Sequence, residues 1–71
     1  MTFRLWIHTD NAAFDDGIET NFARNHETAR ILRRVAHRLE AGEEFDFYET
    51  LRDISGNDVG RAKFTRYPDD N

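Results

Sequence analysis

The 71-residue chain has no cysteine and only one proline, one methionine and one lysine. Without cysteine it can form neither disulfides nor thiolate metal sites, which fits a reducing cytoplasm. No stretch approaches the roughly 20 consecutive apolar residues that span a bilayer. The N-terminal run from Met1 to His8 is interrupted by Arg4 and lacks the apolar core of a secretion signal. The expectation is a cytoplasmic domain that neither crosses nor inserts into a membrane. A chain this short buries only about 60% of its unfolded surface. Its stability must come from regular packing or self-association, as a monomer or a homodimer.

Chemistry-bearing patterns are equally scarce. His8, His26 and His37 lie 18 and 11 residues apart, unlike the short paired spacing of a zinc site. Ser55 sits in Ile54-Ser55-Gly56-Asn57, where turn formation accounts for it. No glycine-rich loop offers a phosphate cradle. The pairs Asp15-Asp16 and Glu43-Glu44 fall in polar segments, where nothing would raise a carboxyl pKa for acid–base work. The expectations are no enzyme activity, no metal and no cofactor. A domain of this kind acts by binding.

Nine aromatic residues supply the drive to fold that the high charge content would otherwise deny. Residues 2–8 alternate, with Phe3, Leu5 and Ile7 on one side and Thr2, Arg4, Trp6 and His8 on the other, the period of a half-buried strand. Residues 9–20 form an acidic, turn-rich loop. Thr20, Asn21 and Asn25 are alternative N-caps for a helix over about residues 21–41. Thr28, Ile31, Leu32, Val35, Ala36 and Leu39 make its apolar stripe. Gly42 stops it. Residues 45–67 read as a β-hairpin turning at Gly56-Asn57, before a polar tail at 68–71. The fold class is α+β: one βαββ domain over residues 1–71, a mostly antiparallel three-stranded sheet with one long helix on one face. Which hairpin arm pairs with the first strand is left open.

Charge is segregated along the chain. Residues 21–39 hold Arg24, Arg30, Arg33, Arg34 and Arg38 against Glu27 alone, a net charge of +4, and the remaining residues carry −8. Glu27 can pair with Arg30 across one helical turn, a contact worth a few tenths of a kcal/mol. Arg30, Arg33, Arg34 and Arg38 are candidates to meet phosphate or an acidic protein surface. Alternatively they form a solvated helix face. Asp10, Asp15, Asp16 and Glu19 form one acidic group, and Glu40, Glu43, Glu44, Asp46 and Glu49 another. Either is a candidate for docking or for imitating nucleic-acid phosphates; ordinary solubilising charge is the alternative. Trp6, on the polar side of its strand, is a candidate interface anchor unless the helix or a neighbouring tyrosine covers it.

Three segments carry a resemblance: Leu5-Trp6-Ile7-His8-Thr9-Asp10-Asn11-Ala12-Ala13-Phe14, the helix from Ala29 to Gly42, and Leu51-Arg52-Asp53-Ile54-Ser55-Gly56-Asn57-Asp58-Val59-Gly60. Together they resemble a family of very short proteins encoded by phages, prophages and plasmids of GC-rich bacteria, some of which look like anti-CRISPR proteins. The chain departs from the commoner pattern between Phe14 and Ala29 and from Glu43 to Thr50. The resemblance implies an inhibitor in the cytoplasm of the infected or lysogenic host. Such an inhibitor would bind a type I CRISPR surveillance complex (Cascade) and block its access to target DNA. The Arg-bearing helix face supplies a second reading, a mobile-element accessory module that binds nucleic acid directly.

Overall fold

A computed structural model describes residues 1–15, 21–43 and 49–65. The elements run β1 (Thr2–Ile7), a 3₁₀ turn (Ala12–Phe14), α1 (Phe22–Glu40), β2 (Glu49–Arg52) and β3 (Asp58–Thr65). The sheet order is β1-β3-β2, and both pairings are antiparallel. The expected α+β fold with a three-stranded sheet and one long helix is therefore what the chain adopts. The open choice of partner for the first strand resolves in favour of the second hairpin arm, which becomes the central strand.

The strand–helix alternation works as expected on β1. Leu5 and Ile7 pack against the core formed by Phe14, Ile31, Val35, Leu51, Val59 and Ala62, while Trp6 points to the other side and is 43% exposed. Phe3 continues the core-side row and pairs across the ladder with Phe64. Their ring centroids lie 4.8 Å apart with planes tilted by 53°. One backbone bond from His8 to the Val59 carbonyl, 2.7 Å, extends the ladder past the end of β1.

The central strand is irregular at one point. Leu51 pairs with Gly60 but Arg52 pairs with Asp58, so Val59 is an extra residue on β3. Such a bulge turns two successive side chains towards one face. That is why Val59 and Gly60 are both buried, against strict alternation. At Gly60 a Cβ atom would lie 2.0 Å from the Trp6 carbonyl oxygen, so the strand approach here requires glycine.

The helix buries a narrower seam than its apolar stripe predicts. Ile31 and Val35 are buried, but Leu32 and Ala36 are exposed. A lone helix on a three-stranded sheet has no second layer to receive the flank of the stripe. The seam extends N-terminally through Glu27, one further step of four residues, and Glu27 is buried. Asn21 occupies the N-cap position without a side-chain cap bond, and Thr20 lies outside the described residues. The C-terminus is a Schellman motif. Gly42 adopts φ 80°, its N–H donates to the Leu39 carbonyl at 3.0 Å, and the Glu43 N–H donates to the Arg38 carbonyl at 3.1 Å.

Candidate functional site

Three regions concentrate charge or exposed apolar surface: a polar corner beside the hairpin turn, a groove between α1 and β2, and the outer face of the sheet.

The corner is built around two buried carboxylates that carry no role in a reading by composition. Asp53, 4% exposed, closes the turn that joins β2 to β3. Its Oδ1 accepts the backbone N–H groups of Ser55 and Asn57, both at 2.9 Å. Its Oδ2 accepts the side-chain amides of Asn57 at 3.0 Å and Asn11 at 2.8 Å. Burial alone would raise this carboxyl's pKa, but the donors from Asn57, Asn11 and Ser55 outweigh it and hold the group below its ordinary value. Asn11 meanwhile caps the 3₁₀ turn by accepting the Ala13 N–H at 3.1 Å. Glu27, also 4% exposed, receives Arg30 in a two-pronged contact at 2.7 and 3.0 Å and accepts the Ile54 N–H at 2.8 Å. The Arg30 bond, opposed by burial and helped by the Ile54 bond, keeps the Glu27 carboxyl below its ordinary value. The far end of Arg30 donates to the Arg52 carbonyl at 3.2 Å.

Many positions of the first and third segments that carry the family resemblance therefore have structural work. Leu51 and Val59 fill the core, Asp53 and Asn57 tie the turn, Gly56 takes φ 87°, and Gly60 admits β1. Asn11, Ala13 and Phe14 join the first segment to the same corner. One signal pointed to this hub: a polar residue at a helix position in phase with Ile31 and Val35 needs a buried partner. Glu27 and Arg30 do pair across one turn of α1, and each also bonds the hairpin backbone, Glu27 at the Ile54 N–H and Arg30 at the Arg52 carbonyl, so the pair ties α1 to the hairpin.

The groove between α1 and β2 encloses about 780 Å³ and is lined in part by Arg30, Arg34, Arg38, Glu49, Thr50 and Arg52. Its cations are largely committed. Arg38 reaches Glu43 at 2.9 Å and Glu49 at 2.7 Å, and these bonds, led by Glu49, raise its pKa. Arg52 donates to the Gly56 carbonyl at 3.2 Å. The basic stripe of the helix is thus divided. Arg30 and Arg38 face carboxylates, whereas Arg33 and Arg34 are exposed with no ion-pair partner among the described residues.

The acidic candidates differ in placement. Glu43 and Glu49 are held by Arg38. Asp10 and Glu40 are exposed, and Asp15 is exposed where its N–H closes the 3₁₀ turn on the Ala12 carbonyl. Asp16, Glu19, Glu44 and Asp46 lie outside the described residues. The structure brings Glu43 and Glu49 together but leaves Asp10, Asp15 and Glu40 on separate elements. Among the described residues no three groups converge as metal ligands, and no helix is long and apolar enough to cross a membrane.

The outer sheet face presents Arg4 and Trp6 from β1, directly opposite Lys63 and Arg61 of β3, with Thr50 of β2 beyond Arg61. Arg61 pairs with Asp58, which keeps that carboxyl below its ordinary value. Arg4 and Lys63 have no carboxylate partner among the described residues. Comparison with known protein families, with characterised proteins and with solved structures finds no match.

Proposed function

We propose that this chain is a binding protein that acts by occupying a partner's surface, and that it inhibits a type I CRISPR surveillance complex as its resemblance implies. The observation that supports a binding role is the state of the buried carboxylates. Glu27 and Asp53 have their oxygens filled by donors and their pKa values lowered, the opposite of an acid poised for proton transfer. The groups left to meet a partner are at the surface: Arg33 and Arg34 on the helix back, Trp6 on the sheet, and Asp10 and Glu40. The identity of the partner rests on the resemblance alone.

Phage plating on hosts with active type I CRISPR systems tests this reading. Expression of the chain restores plating of a targeted phage on at least one subtype, and the purified protein captures Cascade in a stable complex. Full immunity across the subtypes overturns it. The Arg33→Glu, Arg34→Glu pair then separates two routes. Loss of inhibition assigns contact to the helix back; retention leaves the sheet face or the acidic residues.

A further inference from the structure

We infer that the outer face of the sheet is a binding site for single-stranded nucleic acid, with Trp6 as a base-stacking platform and Arg4 and Lys63 as phosphate contacts. This does not rest on the CRISPR reading. Three observations carry it. Trp6 is 43% exposed although the core lies immediately on the other side of its strand, so folding leaves much of the residue accessible. Arg4 and Lys63 occupy directly opposed positions of the β1–β3 ladder. Like charges in that arrangement repel and weaken a sheet, and no described carboxylate relieves them. The neighbouring pair places Arg61 opposite Trp6, and the acid on this part of β3, Asp58, is already taken by Arg61. The face therefore combines an exposed π surface with unneutralised cations, the two elements that bind single strands without reading sequence.

An anion fits the Arg4–Lys63 pair better than an apolar partner does, because it removes the repulsion that folding leaves in place. An open sheet face also suits unstacked bases, whereas a duplex presents its bases only through grooves. An acidic protein surface can meet the same cations and Trp6, and titration with polyglutamate separates it from nucleic acid.

The chain has a single tryptophan, so its fluorescence reports on this face directly. The test titrates the intact protein at low salt with oligothymidylate and oligouridylate of roughly 12 nucleotides, with a DNA duplex, and with polyglutamate. The single strands quench Trp6 and bind in a salt-dependent manner. Arg4→Gln and Lys63→Gln each weaken binding by about tenfold or more and flatten the salt dependence by about 0.7 per cation removed. Each variant also melts at the parent temperature or above, since it removes a like-charge contact; a purely structural pair would melt lower. A preference between the two oligonucleotides tells RNA from DNA as the ligand. Absence of quenching and binding at low salt overturns the inference. So does equal quenching by polyglutamate, which makes the face an acidic-protein site, or binding that survives both variants and falls with Arg33→Glu, Arg34→Glu. Failure of the phage-plating experiment leaves this result untouched.

Discussion

The helix carries an arginine–carboxylate contact at each of two points where it meets the rest of the domain, and the two differ in kind. In the first half of the helix Arg30 meets Glu27, whose carboxylate is buried and also accepts the Ile54 N–H of the hairpin turn. Near its C-terminal end Arg38 meets Glu43 and Glu49, all three at least a quarter exposed at the side chain. The carboxylate of the first contact is itself buried and also accepts a backbone donor of the hairpin turn, and it adjoins the Asp53 hub. The second exchanges hydration for ion pairs that salt can screen. Contacts with nearly equal distances thus differ widely in consequence, because stability follows what is left unsatisfied when a contact is removed.

The corner that holds the first contact is where substitutions have the largest effect. Gly60→Ala places a methyl carbon on the Trp6 carbonyl, which neither strand can avoid while β1 stays paired. We expect a loss of about 4 kcal/mol or more, in the exceptional range for single substitutions. In a domain this small that unfolds most of the population at 37 °C. Circular dichroism melts and loss of amide protection along β1 measure it. A folded variant with native β1 protection would contradict the close approach.

Asp53→Asn tests the hub with almost no change in shape. The carboxylate accepts four donors, two on each oxygen. An asparagine amide has one NH₂ group, so in either orientation it sets donors against donors. The melting temperature should fall further than for any substitution at the Arg38 end. A native melt would show that the turn holds without the hub.

Glu27→Ala leaves the Ile54 N–H without its partner and Arg30 without its anchor, but Arg30 is exposed enough to turn to water. The expected loss is about 2 kcal/mol. Because folding lowers the pKa of both Glu27 and Asp53, the folded state binds fewer protons than the unfolded chain in acid. Their contribution is complete above the unfolded carboxylate values near about 4 and is lost as pH falls through the lower folded values. Melting temperature should therefore drop on acidification through and below about pH 4, less steeply for Glu27→Gln than for the parent. Parallel pH profiles would remove Glu27 from the acid response.

The order of elements and the helix stop were legible because period-2 alternation in residues 2–8, the four-residue spacing of Ile31, Val35 and Leu39 and the glycine at 42 are local signals. The pairing of β1 with β3, the bulge at Val59 and the Asp53 hub were not, since each joins residues 42 to 63 positions apart or depends on strand register. Glu27 shows why the candidate contact residues were hardest to place. Sequence marks a charge, but only the fold shows which charges meet. Glu43 and Glu49, read as docking groups, are brought onto Arg38 by the Schellman turn and the start of β2. Trp6 was left between two readings because alternation gives two sides without saying which one the helix covers.

The smallest effect belongs to the second contact. Arg38→Ala removes two ion pairs, yet Glu43 and Glu49 are exposed enough to regain water, and the helix stop is secured by backbone bonds to the Leu39 and Arg38 carbonyls that the substitution leaves intact. The expected loss is under about 1 kcal/mol and shrinks further as salt rises. Freeing the two carboxylates makes the residue 43–49 end of the molecule more acidic. If those groups dock onto a basic partner, Arg38→Ala tightens that complex while slightly lowering the melt. If they serve only to hold α1 against β2, binding does not improve. A loss above about 2 kcal/mol in denaturant titration would show that the two fastenings are alike after all, and that exposure is not what separates them.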